Sequence, residues 1–213
     1  MVCQFDSRTK EIERNLIRLY HKATDADVVQ GIAWYPEARR IVCEWATTYC
    51  YHDDTVAGVI AALSPQMEWT RNLICADDIL AGRPPSVLGL RSNIAKARLM
   101  RDSNPSESLS TRMMRLFPSG PKVNSFALNL AGDNSVVTVD THAMQAGLNN
   151  VMARYTLPWR PYRVFAECYA RAAVSVAESP ATFQAIIWHA WKRFYPRGVK
   201  NQLRKQWEVL GEY

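Results

Sequence analysis

The sequence lacks any long apolar run. Nowhere in its 213 residues do about eighteen apolar residues follow one another, so no membrane-spanning helix and no membrane partner are expected. Residues 1–10 are polar and charged, and they lack the apolar stretch of a secretory signal. A cytoplasmic location is therefore expected.

Cysteine and histidine are also sparse. The five cysteines are scattered and contain no Cys-x-x-Cys pair, which predicts reduced, mostly buried thiols. The four histidines contain no His-x-x-x-His pair, and His52-Asp53-Asp54 is better explained as a polar turn than as a ligand set. No Gly-x-x-x-x-Gly-Lys-Ser/Thr nucleotide loop is present. The residues therefore predict no metal site.

Strand-forming patterns are almost missing, because only residues 136–139 have them. Helical spacing dominates instead, and hydrophobic residues make up 48% of the chain, which is ample for a core. The predicted helices include one that starts after Pro36, an apolar run at 56–63, and segments at 72–80, 94–100, 165–176 and 182–194. The pattern favours an all-α fold: a single domain over residues 1–213 with two helical lobes and a cleft.

Charge is distributed unevenly along the chain. Residues 1–150 hold sixteen Lys and Arg against sixteen Asp and Glu, whereas residues 151–213 hold ten against four. The whole net charge of +6 therefore comes from the C-terminal part. A basic segment of this kind, about 153–213, is consistent with a polyanionic partner such as DNA, and equally with a solvated basic surface.

Two residues stand out by their context. Lys122 follows Pro-Ser-Gly-Pro at the start of an apolar helical stretch, and Asp140 precedes Thr-His-Ala at the start of the next helix. The partial positive charge of a helix N-terminus favours a neutral amine and an ionised carboxylate. These properties suit an amine nucleophile and a carboxylate that stabilises a developing cation, although Asp140 is also a good N-cap.

This segment resembles the core of the helix-hairpin-helix DNA glycosylase superfamily, the endonuclease III-like enzymes. Lys122, the run Val139-Asp140-Thr141-His142 and the glycine Gly120 match the family pattern, whereas Pro118 replaces its first hairpin glycine. The resemblance implies a two-lobed helical fold with a hairpin at about 104–131 and a catalytic loop and helix at about 132–152. It also implies catalysis by Asp140 and Lys122, and DNA contacts from Ser119, Gly120 and His142.

A second segment is similar to the one that faces DNA in the same family. Leu63-Ser64-Pro65-Gln66 matches a Leu-Ser-x-Gln pattern whose glutamine lies near the extruded base. Gln66 is therefore expected to contact DNA, as are Trp69 and Asn72 after it, with Trp69 equally compatible with a place in the core. On the last predicted helix, Lys192 and Arg193 are candidate phosphate contacts.

The resemblance also bears on cofactors. Many of these enzymes hold an iron–sulfur cluster on four clustered cysteines near the C-terminus, but here only Cys168 lies in that region, so no such cluster is expected. A monovalent ion bound by the hairpin backbone occurs in the family.

Three functions remain open from the sequence. The first is a DNA N-glycosylase, with lyase activity through Lys122, that acts on a modified or damaged base, such as a modified pyrimidine, flipped out of double-stranded DNA. The second is a phage transferase of similar fold, the alpha-glutamyl/putrescinyl thymine pyrophosphorylase branch, which attaches an amino acid or amine to activated hydroxymethyl-uracil in DNA; there Lys122 would bind an anion. The third is a non-catalytic DNA-binding protein, in which Lys122 only builds the hairpin.

Overall fold

A computed structural model describes residues 5–154 and 156–195, and these residues form one short 3₁₀ helix and ten α-helices without a strand. The predicted all-α class is therefore confirmed. After the 3₁₀ helix Asp6–Arg8, the α-helices are Thr9–Tyr20 (α1), Asp25–Tyr49 (α2), Asp53–Leu63 (α3), Trp69–Leu80 (α4), Arg91–Arg101 (α5), Leu109–Leu116 (α6), Pro121–Leu130 (α7), Thr141–Leu148 (α8), Trp159–Ser175 (α9) and Pro180–Phe194 (α10).

The helices are distributed over two compact units. The first unit contains the residues up to Ala33 and those from Val139 onward, so α1 packs with α8, α9 and α10. Its core includes Ile12 and Leu16 of α1 and Phe165 of α9, all fully buried. Gly31 of α2 allows a close approach, because a Cβ there would stand 2.5 Å from a side-chain carbon of Ile186 on α10.

The second unit is the continuous segment Trp34–Thr138. Its centre is α3, which packs against α4, α5, α6 and α7. Every residue of α3 from Thr55 to Leu63 is buried, as expected for a helix that is apolar on all sides. Gly58 leaves room for Met100 of α5, whose Cε would lie 2.3 Å from a Cβ at that position. The apolar run predicted at 56–63 is thus the centre of this unit.

The prediction of a helix that starts after Pro36 is wrong, because α2 begins at Asp25 and contains Pro36 in its interior. A reciprocal cap explains the earlier start. The backbone N–H of Asp27 donates to Thr24 Oγ1, and the backbone N–H of Thr24 donates to the Asp27 carboxylate at 2.9 Å. The tryptophan and tyrosine at 34–35 therefore lie within a helix, not before one.

The predicted strand at 136–139 is also wrong. The segment has no regular secondary structure, and side chains bind several of its polar groups. Asn129 donates to the carbonyl of Val136 at 3.0 Å and accepts from the Thr138 hydroxyl at 2.7 Å. The backbone N–H of Val139 donates to the Tyr162 hydroxyl at 3.0 Å. The valines at 136–139 are therefore explained by burial in a loop and not by a strand.

Two further expectations concern membranes and cysteines. Among the helices of the described residues, none is long and apolar enough to cross a membrane. Cys75 and Cys168 are buried as expected, and burial raises the pKa of the Cys168 thiol to about 11. Cys43 and Cys50 are exposed, contrary to the prediction of mostly buried thiols.

Candidate functional site

Asp140 is the N-cap residue of α8. Its backbone is extended, with φ −94° and ψ −174°, and its Oδ1 accepts a hydrogen bond of 2.7 Å from the backbone N–H of Ala143. This bond satisfies one of the amide groups that a helix leaves unpaired at its start. The half-buried carboxylate therefore lies at the partially positive end of α8.

The second carboxylate oxygen of Asp140 is held by α10. The indole N–H of Trp188 donates to Asp140 Oδ2 at 3.1 Å. The same indole ring carries the Lys192 ammonium on its face, 3.9 Å from the ring centroid, and meets the His142 ring edge-on at 6.3 Å. Trp188 thus brings together Asp140, His142 and Lys192, three of the residues that the sequence singled out.

A buried polar network lies beneath this carboxylate. The Tyr169 hydroxyl donates to the carbonyl of Ala143 at 2.9 Å, and the Trp191 indole N–H donates to the Gln145 side chain at 3.3 Å. Gln145 in turn donates to the carbonyls of Val151 and Ala153. Burial, and then the charge of Asp140, raise the pKa of Tyr169 well above its ordinary value, so its phenol stays protonated.

Sequence reasoning missed most of these supporting residues. Trp188, which the sequence did not single out, is half-buried and donates its indole N–H to Asp140. Tyr162 and Tyr169 carried no motif. The available signal was weak: two tryptophans three residues apart on a helix that also carries Lys192.

Lys122 belongs to the other unit. It is the second residue of α7, directly after Pro121 at the first helical position, and its side chain is half-buried. Phe126, one turn later on the same face, meets Trp69 with ring centroids 6.4 Å apart, and Trp69 meets Trp34 at 5.3 Å. Lys122 therefore stands at one end of a helix face that leads into an aromatic cluster of Trp34, Trp69 and Phe126.

The turn before Lys122 joins α6 to α7, and the two helices pack together. Ser119 is exposed, and Gly120 is the N-cap of α7 with φ −113°, an ordinary value for any residue. Asn124 closes the turn by donating from its side chain to the carbonyls of Phe117 and Gly120, at 3.0 and 2.9 Å. Asn124 has no counterpart in the sequence predictions.

The same turn offers a poor cation site. The Phe117 carbonyl accepts from the backbone N–H of Gly120 and from Asn124, and the Gly120 carbonyl accepts two bonds from Asn124. A carbonyl oxygen has two lone pairs, so both of these are fully used. These two carbonyls therefore do not fit the monovalent ion that the family resemblance suggests. Elsewhere in the described ranges, no three His, Cys, Asp or Glu side chains are grouped as metal ligands.

Gln66 has an unusual backbone. It is exposed in the turn between α3 and α4, and its φ of +61° is in the left-handed region that side chains other than glycine rarely adopt. Glu68 then caps α4 by accepting from the backbone N–H groups of Thr70 and Arg71. The strained turn presents Gln66 to solvent just ahead of Trp69, which is half-buried at the start of α4.

The structure corrects the prediction that Asn72 contacts DNA. Only 1% of Asn72 is exposed, and its side-chain amide donates to the carbonyl of Ile60 on α3 at 3.1 Å. Asn72 faces α3 and not solvent, so its role is to join two helices of the core.

Arg193 is also engaged internally. Its Nε donates to Asp27 at 2.8 Å, and its terminal nitrogen donates to the carbonyl of Lys22 at 2.9 Å. Burial would raise the pKa of Asp27, but hydrogen bonds from Thr24 and from Arg193 outweigh burial and lower it. The guanidinium of Arg193 is thus committed to this ion pair, whereas Lys192 beside it is exposed. The basic stretch 196–213 lies outside the described residues.

The chain belongs to a family of unknown function, DUF7178, which matches it over residues 3–194. Neither the curated proteins nor the solved structures contain a match.

Proposed function

We propose that the protein acts on a base of double-stranded DNA, as an N-glycosylase that removes a modified or damaged pyrimidine turned out of the duplex. The observation that carries this proposal is the Asp140 carboxylate. Its two oxygens are fixed by two neutral donors, the backbone N–H of Ala143 and the indole N–H of Trp188. A negative charge held in place before reaction stabilises a developing positive charge without reorganisation.

The chemistry that suits this carboxylate is cleavage of a glycosidic bond. As the bond between the sugar C1′ and the base nitrogen breaks, its electron pair leaves with the base and positive charge develops on C1′ and the ring oxygen. Asp140 offsets that charge. A base inside the stack is out of reach, so the nucleotide must first be extruded.

Lys122 is the proposed nucleophile. The neutral amine forms a bond to C1′ as the bond to the base breaks, and the proton that the amine loses goes to the departing base. The nitrogen lone pair then breaks the bond from C1′ to the ring oxygen, which takes up a proton, and a Schiff base with the opened sugar results. Loss of a proton from C2′ finally expels the 3′ phosphate and cleaves the strand.

Three further side chains are proposed to contact the DNA. Gln66 is exposed on a strained turn, and residues held in rare backbone conformations occur often at binding sites. Trp69 next to it offers a half-buried aromatic face on which a base can stack. His142 is the second residue of α8, lies beside Trp188 and is half-buried. Ser119 and Gly120 of the hairpin turn are the proposed phosphate contacts.

Borohydride trapping tests the proposal. The protein is incubated with duplexes that carry different modified pyrimidines, in the presence of borohydride, and both covalent adducts and free bases are measured by mass spectrometry. We expect an adduct that Lys122→Ala abolishes. Asp140→Asn should lower base release by about 10²–10³-fold while duplex binding persists, because asparagine keeps the cap and removes the charge. Asp133→Asn, the same change at an exposed turn residue, is the matched control.

Other results would replace the proposal. A mass gain on activated hydroxymethyl-uracil DNA supplied with amino acids or amines, without base release, would support the transferase. Duplex binding without any product would support a binding protein. Full turnover by Asp140→Asn would remove the carboxylate from the mechanism under either catalytic alternative.

A further inference from the structure

α1 has a row of basic side chains along its exposed face. Lys10, Arg14 and Arg18 follow one another at intervals of four residues, so they lie on one side of the helix, and His21 and Lys22 continue the row past its end. An open groove of about 630 Å³ runs along these residues. We call Lys10, Arg14, Arg18 and Lys22 the α1 row.

The carboxylates nearest to the α1 row are bound elsewhere. Glu11 accepts two hydrogen bonds from Arg8, each 2.9 Å long, and Glu13 pairs with Arg171 of α9 at 2.7 Å. Over residues 5–154 and 156–195, no carboxylate lies within 4 Å of the charged atoms of the row. Within these ranges the row therefore forms no salt bridge. Its closest electrostatic partners are Glu11, whose pKa is lowered by the hydrogen bond from Arg8 and also by the charge of Arg14, and the neutral Asn15, which accepts a hydrogen bond from Arg18 at 2.6 Å.

The basic segment from residue 151 onward behaves differently where it is described. Arg160 pairs with Asp6, Arg171 with Glu13, and Arg193 with Asp27. Half of its six described cations are thus engaged by carboxylates. The α1 row therefore places four cations without a salt-bridge partner among the described residues in one line, in a part of the chain where sequence totals did not indicate a basic surface.

From this charge pattern we infer that the α1 row binds the phosphate backbone of nucleic acid, as a second contact surface beyond the site at Asp140. This inference rests on the proposed function for its choice of DNA as the partner. Cations four residues apart on a helix are spaced by about 6 Å, and the row from Lys10 to Lys22 extends for about 18 Å, which is close to the length of five base pairs.

A bilayer surface is the less suitable partner. A helix that lies in a membrane interface inserts its apolar face. The apolar face of α1, formed by Ile12, Leu16 and Leu19, is buried in the core of its own unit. What α1 offers to a partner is charge at regular intervals, which matches a chain of phosphates.

Salt-dependent binding of an undamaged duplex tests the inference. The full chain is compared with the triple variant K10Q/R14Q/R18Q by fluorescence anisotropy over about 50–200 mM salt. Three lost phosphate contacts should reduce the slope of log K against log salt by about 2.7, and the affinity should fall more than tenfold. The control R40Q/R83Q/R160Q removes three exposed arginines that are each paired with a carboxylate, to Glu44, Asp77 and Asp6. It should keep the wild-type slope.

Each result decides the question. Equal slopes for the wild type and the α1 variant, with both folded by circular dichroism, would overturn the inference. So would equal losses in the α1 variant and the control, or a wild type that binds anionic vesicles and not DNA. Because the duplex is undamaged, failure of base chemistry leaves this measurement intact.

Discussion

The surroundings of Asp140 and of Lys122 differ in how far each charged group is fixed. Both oxygens of Asp140 accept hydrogen bonds, one from α8 and one from α10, above a network of buried tyrosine, glutamine and tryptophan side chains. Lys122 follows a turn closed by Asn124 and shares a helix face with aromatic rings. The carboxylate is thus part of what holds its unit together, whereas the amine is not. The role proposed for Asp140 is therefore combined with a structural one, whereas the role proposed for Lys122 is not.

The largest expected effect is the difference in stability between variants of Asp140 and of Lys122. Asp140→Ala removes the cap of α8, which is worth about 1 kcal/mol, and leaves the Trp188 N–H without its acceptor. We expect the free energy of unfolding in urea to fall by about 2–3 kcal/mol. Lys122→Ala should change it by less than about 0.5 kcal/mol. Equal losses in the two variants would contradict the comparison.

Trp188→Phe should have the next largest effect, because it keeps an aromatic ring but removes the N–H donor to Asp140 together with part of the ring surface. A hydrogen bond to a charged group contributes about 1.5–3 kcal/mol, and less where it is partly exposed. As a positioning residue, Trp188 should affect kcat more than KM, with kcat reduced about tenfold. Trp159→Phe, on α9, is the matched control. A change in KM alone would assign Trp188 to substrate binding and not to orientation of Asp140.

Gln66→Gly should stabilise the protein. Glycine adopts a positive φ without the strain that a side chain suffers, so we expect a gain of about 1 kcal/mol in the free energy of unfolding. The same variant should bind duplex DNA less tightly, since it loses the exposed amide. Gln30→Gly, at an exposed position inside α2, should destabilise by about 1 kcal/mol and serves as the contrast. Tighter DNA binding by Gln66→Gly would remove Gln66 from the interface.

The smallest effect concerns acid stability in the unit that holds Asp140. The pKa of Asp27 is lowered in the folded state, so its stabilising contribution is complete above its unfolded pKa of about 3.9 and disappears as pH falls through the lower folded value. Urea unfolding of the wild type and Asp27→Asn should therefore differ at neutral pH and converge below about pH 4. A difference that grows with acid would contradict the ion pair with Arg193.

Local features could be predicted from the sequence, and distant contacts could not. The helix at 56–63 follows from a continuous apolar run, and the cap at Asp140 follows from the residues directly after it. Trp188 lies 48 positions from Asp140, and Arg193 lies 166 from Asp27, so no spacing rule connects them. Asn72 was misjudged because the resemblance of the segment around Gln66 gives no direction for a side chain six positions later, which faces Ile60.

The distribution of unpaired charge also depends on distant contacts that the sequence does not predict. A count along the chain favoured residues 151–213 as the basic region, but pairing depends on which side chains fold together. Arg160, Arg171 and Arg193 find carboxylates at positions 6, 13 and 27. Those contacts neutralise part of the charge of the C-terminal segment, and the α1 row has no salt-bridge partner in the part of the chain that the structure describes. Neither result can be predicted without knowing which distant side chains pack together.

The order of the two units along the chain has a consequence for synthesis on the ribosome. Residues 34–138 are continuous and form one unit, whereas the other combines residues up to 33 with those from 139 onward. At a synthesis rate of about 5–20 residues per second, roughly 3–11 s pass between the addition of residue 138 and the addition of residue 195. During that interval the apolar face of α1 lacks α8, α9 and α10, so the nascent chain is then most in need of a chaperone.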